Sequence, residues 1–111
     1  MSIGDYFTFN GGSFTVSLHT ADPGTTGANE VHGGGYARQP AEFSAGVVGS
    51  NVTALEFEGM PAVRVAFEGL WNGPEFLQGG PCKVARQLDA GDVVRVPVGF
   101  ITVKARGAVV T

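Results

Sequence analysis

The chain has 111 residues, 43% of them hydrophobic and only 15% charged: enough for one domain, too short for a second core, and sparing with solvent-facing charge. Part of its surface is therefore expected to meet protein instead of water. Seven Lys+Arg stand against ten Asp+Glu, for a net charge of −3 without a basic cluster, which excludes the phosphate-neutralising patch of a nucleic-acid binder; no apolar run reaches the ~18 residues of a membrane span.

Residues 1–12 read as a short N-terminal arm carrying Tyr6, Phe7 and Phe9, without the cationic start and long apolar run of an export signal. Residues 13–111 read as a single β domain. Phe14, Val16 and Leu18 alternate with Thr15, Ser17 and His19, the two-residue period of a strand with one face on the core. Asp22-Pro23-Gly24 ends that strand, since Pro23 fixes φ and Gly24 tolerates the positive φ that follows. A long polar loop then runs to Gly35, and a loop of that length in so small a domain is expected to be functional or to be ordered against something else.

Thr53, Leu55 and Phe57 alternate with Ala54, Glu56 and Glu58, and Val63, Val65 and Phe67 with Arg64, Ala66 and Glu68; Gly59-Met60-Pro61 between them suits a hairpin. Apolar pieces follow at Phe76-Leu77 and around Val84. After the turn-like Asp89-Ala90-Gly91-Asp92 comes Val93 to Val98, an edge strand or one broken at Pro97, with Phe100 to Lys104 continuing it. Eighteen glycines and six prolines, with no sustained 3.6-residue period, predict an all-β fold: about six to eight strands in a small antiparallel sandwich or barrel, jelly-roll-like, with a long ordered loop.

Sites of chemistry are sparse. Gly24-Thr25-Thr26-Gly27 and Gly33-Gly34-Gly35 lack the Lys-Ser/Thr of a P-loop and the βαβ setting of a dinucleotide loop. His19, His32, Asp22 and Glu30 lack the tight pairing of a zinc site, and no serine sits in a nucleophile elbow. Asp89 and Asp92 are read as a turn instead of a carboxylate pair. Cys82 is the single cysteine, so no internal disulfide forms, and it is read as core filler and not as a nucleophile. Asn51-Val52-Thr53 matches a glycosylation sequon and is set aside. Tyr36 and Trp71 are each an anchor in the core or at an interface. Neither an enzyme nor a bound cofactor or metal is expected.

The run Leu18-His19-Thr20-Ala21-Asp22-Pro23-Gly24, then Gly27-Ala28-Asn29-Glu30-Val31, then Gly33-Gly34-Gly35-Tyr36-Ala37-Arg38-Gln39 resembles a family of small virion proteins of tailed phages, labelled tail-fibre-like or capsid-associated. The later pieces Gly69-Leu70-Trp71, Gly79-Gly80-Pro81 and Gly91-Asp92 through Gly99 fall in the family's order, so the likeness covers about residues 14 to 104. The chain departs from that pattern in its short opening segment and its shortened middle.

The resemblance implies a non-enzymatic virion structural protein, made in the bacterial host cytoplasm. The expected role is capsid decoration: a cement protein on the capsid exterior that clamps the major capsid protein, self-associating as a trimer through flat contacts and the aromatic arm. The alternative is a tail- or fibre-associated adaptor. A wall-degrading enzyme is a third reading, and neither nucleic acid nor membrane is an expected partner. Expected partner-binding residues are Tyr6, Phe7, Phe9, Asn29, Glu30, Val31, Tyr36 and Arg38. In the loop, Asn29 and Glu30 are expected to hold backbone amides, Val31 to plug an apolar spot, and Arg38 to pair with an acid of its own chain or of a neighbouring subunit.

Overall fold

The computed structural model describes residues 12–44 and 48–104. Its eight strands are β1 (Gly12–His19), β2 (Gln39–Phe43), β3 (Val48–Ser50), β4 (Leu55–Phe57), β5 (Arg64–Asn72), β6 (Glu75–Gln87), β7 (Val94–Val96) and β8 (Thr102–Lys104). All pairings are antiparallel: a four-stranded sheet ordered β2-β1-β5-β6, and two-stranded sheets β3-β8 and β4-β7. The expected all-β class is what the chain adopts.

Alternation sets the core. Val16, Leu18, Ala41, Phe43 and Leu70 from the four-stranded sheet pack with Leu55, Phe57, Met60, Leu88 and Ile101, and Val94 and Val96 of β7 lie against them half-buried. In β4 the pattern is clean, with Leu55 and Phe57 buried and Glu56 exposed and paired across the strands to Arg95 at 2.8 Å.

Three sequence expectations are corrected. Gly59-Met60-Pro61 is not a hairpin, because β4 pairs with β7, and β5 with β1 and β6. Met60 is instead buried, its backbone N–H donating to Asp92 O at 3.0 Å and its carbonyl accepting from Gly91 N–H at 2.8 Å. The hairpin lies between β5 and β6, where Asn72 opposes Glu75 across Gly73-Pro74 and Gly73 takes φ 58°, the positive φ of a primed turn's first position. Second, Phe100 to Lys104 does not continue β7: the chain turns where Phe100 N–H donates to Pro97 O at 3.2 Å, and β8 joins β3. Third, Ser17 and His19 do not face water. Both are fully buried, so the central strand is covered on both faces.

Phe76-Leu77 and the piece around Val84 belong to one 13-residue strand, β6. The interrupting Gly79-Gly80-Pro81 is accommodated because β6 is the outer of the four described strands of its sheet, one of the positions to which proline is confined within sheets. Asn51, set aside as a sequon, is a fully buried tie. Its side-chain amide donates to Thr53 O at 2.8 Å and Pro97 O at 3.0 Å, while Oδ1 accepts from Ile101 N–H at 2.9 Å.

Candidate functional site

The segment from Asp22 to Arg38 folds back onto β1, and the reason is an open strand edge. β2 covers β1 only as far as Val16, which opposes Gln39. Beyond it the loop takes over the ladder: Val31 N–H donates to Leu18 O at 2.9 Å, Thr20 N–H to Asn29 O at 3.0 Å, and His19 bridges to Glu30. Leu18 N–H donates to the Tyr36 hydroxyl at 3.0 Å, which donates onward to Glu30 Oε2 at 2.8 Å. The edge that would otherwise invite another strand is thereby satisfied within the chain.

Glu30 is the hub of this loop. Arg38 forks onto it through Nε to Oε2 and Nη2 to Oε1, both at 2.9 Å, and the same guanidinium stands 3.6 Å from the Trp71 ring centroid, a cation–π contact. Burial pushes the Glu30 carboxyl up, but the bonds from Arg38 and Tyr36 outweigh it and hold it below the usual glutamate range. Burial, with the bond to Glu30, pushes the Tyr36 hydroxyl far above its ordinary value, and its ring stacks on Phe57 with centroids 6.2 Å apart.

Beneath the loop runs a buried chain of polar groups. Trp71 Nε1–H donates to Ser17 Oγ at 2.8 Å, and Ser17 Oγ lies 2.6 Å from His19 Nε2. His19 Nδ1 lies 2.7 Å from the carbonyl of Ala28. A carbonyl only accepts, so Nδ1 carries the proton, Nε2 is bare, and the Ser17 hydroxyl donates to it. Every donor has one acceptor. Burial lowers the His19 pKa, against the pull of the Ala28 carbonyl, so the imidazole stays neutral.

Glycines make the space for this. A Cβ at Gly27 would stand 2.6 Å from the Trp71 ring, one at Gly69 would stand 2.6 Å from Ser17 Oγ, and one at Gly79 would stand 2.4 Å from Pro23 Cγ. Gly69 opposes Ser17 and Gly79 opposes Gly69 across three neighbouring strands, a bare strip on which the loop lies.

Set against the sequence reading, Glu30, Tyr36 and Arg38 converge on one another, Val31 is in the core, and Trp71 is a core residue. Asn29 and Glu30 do not hold backbone amides: the Asn29 side chain donates to Asp22 O at 3.0 Å, and Glu30 accepts from side chains. Asn29 instead contributes its left-handed backbone, φ 63°, a conformation that asparagine tolerates. Gly24 takes the positive φ expected of it, 61°, and its N–H is held by Asp22 Oδ1 at 2.8 Å. Tyr6, Phe7 and Phe9 lie outside the described residues.

As chemistry, the loop is closed. Both ring nitrogens of His19 are engaged within the chain and Ser17 is fully buried, so this Ser–His pair offers no reachable nucleophile. Among the described residues no three His, Cys, Asp or Glu side chains are grouped to hold a metal ion. Cys82 packs against the core, and burial beside Glu68 pushes its thiol up to about 12, which keeps it protonated and inert. Asp92 Oδ2 accepts from Asp89 N–H at 2.8 Å, the role of a turn.

Residues 7–104 match the family described as podophage GP4 fiber I protein gp80. The chain belongs to that family. The match takes in every described strand and the whole of the Asp22–Arg38 loop, and the virion class implied by the motif resemblance is supported at that level. No curated protein matches the chain. Within the gp80 family member described here, the residues that sequence reasoning missed are Ser17, His19, Asn51, Gly69 and Gly79. A polar residue that alternates within a strand reads as solvent-facing unless a second layer is known, and only the glycines opposite Ser17 hinted at one.

Proposed function

We propose that the chain is a non-enzymatic structural module of a phage fibre or tail, held in the virion by contacts with neighbouring fibre or tail chains. The family match over residues 7–104 carries this reading. The family's description names a fibre protein, which favours the tail- or fibre-associated role over capsid decoration, in which the partner would be the major capsid protein on the outside of the shell.

The loop geometry suits such a module. Its inner side is fixed by Glu30, Tyr36, Arg38 and His19, so its exposed side, with Asp22, Thr25, Thr26 and Asn29, is presented already ordered. Contact then costs little conformational entropy. Assembly through a prearranged surface needs no pocket and no reactive group.

The test is competitive assembly: purified protein is mixed with purified tails and, separately, with undecorated shells, and bound protein is quantified after sedimentation. Saturable binding to tails or fibres is expected. Saturable binding to shells alone would return the protein to capsid decoration, and turnover of host wall material by the purified chain would overturn the structural assignment.

A further inference from the structure

Among the described residues, Val84 and Phe100 are 58% and 45% exposed, and they flank a groove of about 100 Å³ between β6 and β7 whose walls include Leu18, Val65, Val94 and Val96. A volume of that order takes one or two partly inserted side chains and is well below the ~300 Å³ at which small-molecule pockets begin. It therefore fits a protein anchor better than a cofactor. Its charged lining is Lys83, Arg86 and Arg95, the last already paired with Glu56, against the one carboxyl of Glu68, a local basic excess in a chain whose net charge is −3. Beside it runs β6, which among the described strands is the outer one of its sheet, next to β5. An apolar slot next to the outer strand of a sheet is the setting in which an extended segment docks, with alternate side chains in the slot.

We propose that this groove receives the segment Asp5-Tyr6-Phe7-Thr8-Phe9 of a second copy of the chain. In an extended segment, residues two apart share a side, so Phe7 and Phe9 face the groove together and Asp5, on the same side, meets the basic lining. The donor is a second copy because the chain's own segment falls short. Leu18 lies about 20 Å along β1 from Gly12, whereas the three residue steps from Phe9 to Gly12 and the five from Phe7 span at most ~10–18 Å. Exchange of the segment links copies head to tail, whichever part of the virion holds them.

The experiment is sedimentation of the full chain over a hundredfold concentration range, alongside Phe7→Ala/Phe9→Ala, Val84→Asp, and an equimolar mixture of the two variants. Circular dichroism and thermal melting verify that each variant is folded, and Val84 lies outside the buried core by its exposure. The wild-type chain is expected to associate as concentration rises, each variant alone to be at least tenfold weaker, and the mixture to recover dimers, because one variant keeps its groove and the other its segment. A fluorescent peptide of residues 2–11 should bind the wild-type chain and not Val84→Asp. A wild-type chain that stays monomeric throughout, association untouched by Phe7→Ala/Phe9→Ala, or a peptide that binds both chains equally would each overturn the proposal, pointing to the chain's own segment or a foreign partner.

Discussion

The Arg38 guanidinium stands 3.6 Å from the Trp71 ring centroid while both of its forked bonds go to Glu30. One side chain thus ties the exit of the Asp22–Arg38 loop to β5, and through Trp71 to the buried Ser17 and His19 beneath it. The loop's outer pair and its inner polar chain are one connected network, and such networks are worth more intact than as separate bonds.

Arg38→Lys separates shape from charge. Lysine keeps the charge but has neither the planar fork for Glu30 nor the flat face for Trp71. With Arg38 and Glu30 side chains 34% and 22% exposed, solvent screening limits the loss to about 1 kcal/mol, a fall in Tm of about 4–8 °C for a domain of this size. Far-UV circular dichroism should be unchanged. A lysine variant that melts with the wild type would show that the fork contributes nothing beyond charge.

His19 gives the loop a pH dependence of definite sign. Its pKa is lowered in the folded chain, burial being the main cause, so below about 6.5 the unfolded chain takes up a proton that the folded chain refuses. The stability contribution is complete above that value and is lost as pH falls through it. Nitrogen-15 NMR should find the Nδ1–H neutral tautomer at pH 7, with titration beginning only below 6.5. An Nε2–H tautomer, or a midpoint above 6.5, would contradict the hydrogen-bond assignment from Trp71 to Ala28.

The strands were legible where one face met water and the other the core. Leu55 and Phe57 alternate with an exposed Glu56, and the sequence reading places them correctly. Legibility failed where both faces are covered, because Ser17 and His19 are polar by composition yet buried by a loop folded across them. It failed again at Gly59-Met60-Pro61, since a turn-forming tripeptide says where the chain bends and nothing of which strands then pair. Arg38 was legible as the partner of some acid, whereas Glu30 was read as a holder of backbone amides; that the two choose each other follows from the opening left beyond Val16, where β2 ends, which no local pattern records.

Gly69→Ala tests the bare strip under the loop. The added Cβ would lie 2.6 Å from Ser17 Oγ and 2.8 Å from His19 Nε2, both fully buried and bonded in place. Neither neighbour is a flexible side-chain end that can swing aside. The expected cost is about 2–3 kcal/mol, with loss of the downfield His19 ring-proton signal. Gly73→Ala, where the added carbon meets nothing within 4 Å but φ is 58°, should cost about 1 kcal/mol from backbone strain alone. Equal costs at the two sites would mean that the strip is not closely packed.

Glu68 opposes His19 in its pH effect. Burial pushes its carboxyl up to about 7, while its bond with Cys82 and the charge of Lys83 pull the other way; Arg86 on β6 and Arg95 on β7 line the same groove. Below about 4.5 both folded and unfolded chains hold the proton and nothing is lost. From there to pH 7 the unfolded chain ionises while the folded chain does not, so stability falls as pH rises and levels off above 7. A shift of that size corresponds to at most about 3 kcal/mol, less in so far as the groove admits water. Glu68→Gln keeps the shape and removes the ionisation, so its stability relative to the wild type should climb between pH 5 and 8 in urea unfolding. If the two chains differ by a constant amount across that range, the carboxyl titrates in the ordinary range and the groove floor is wet.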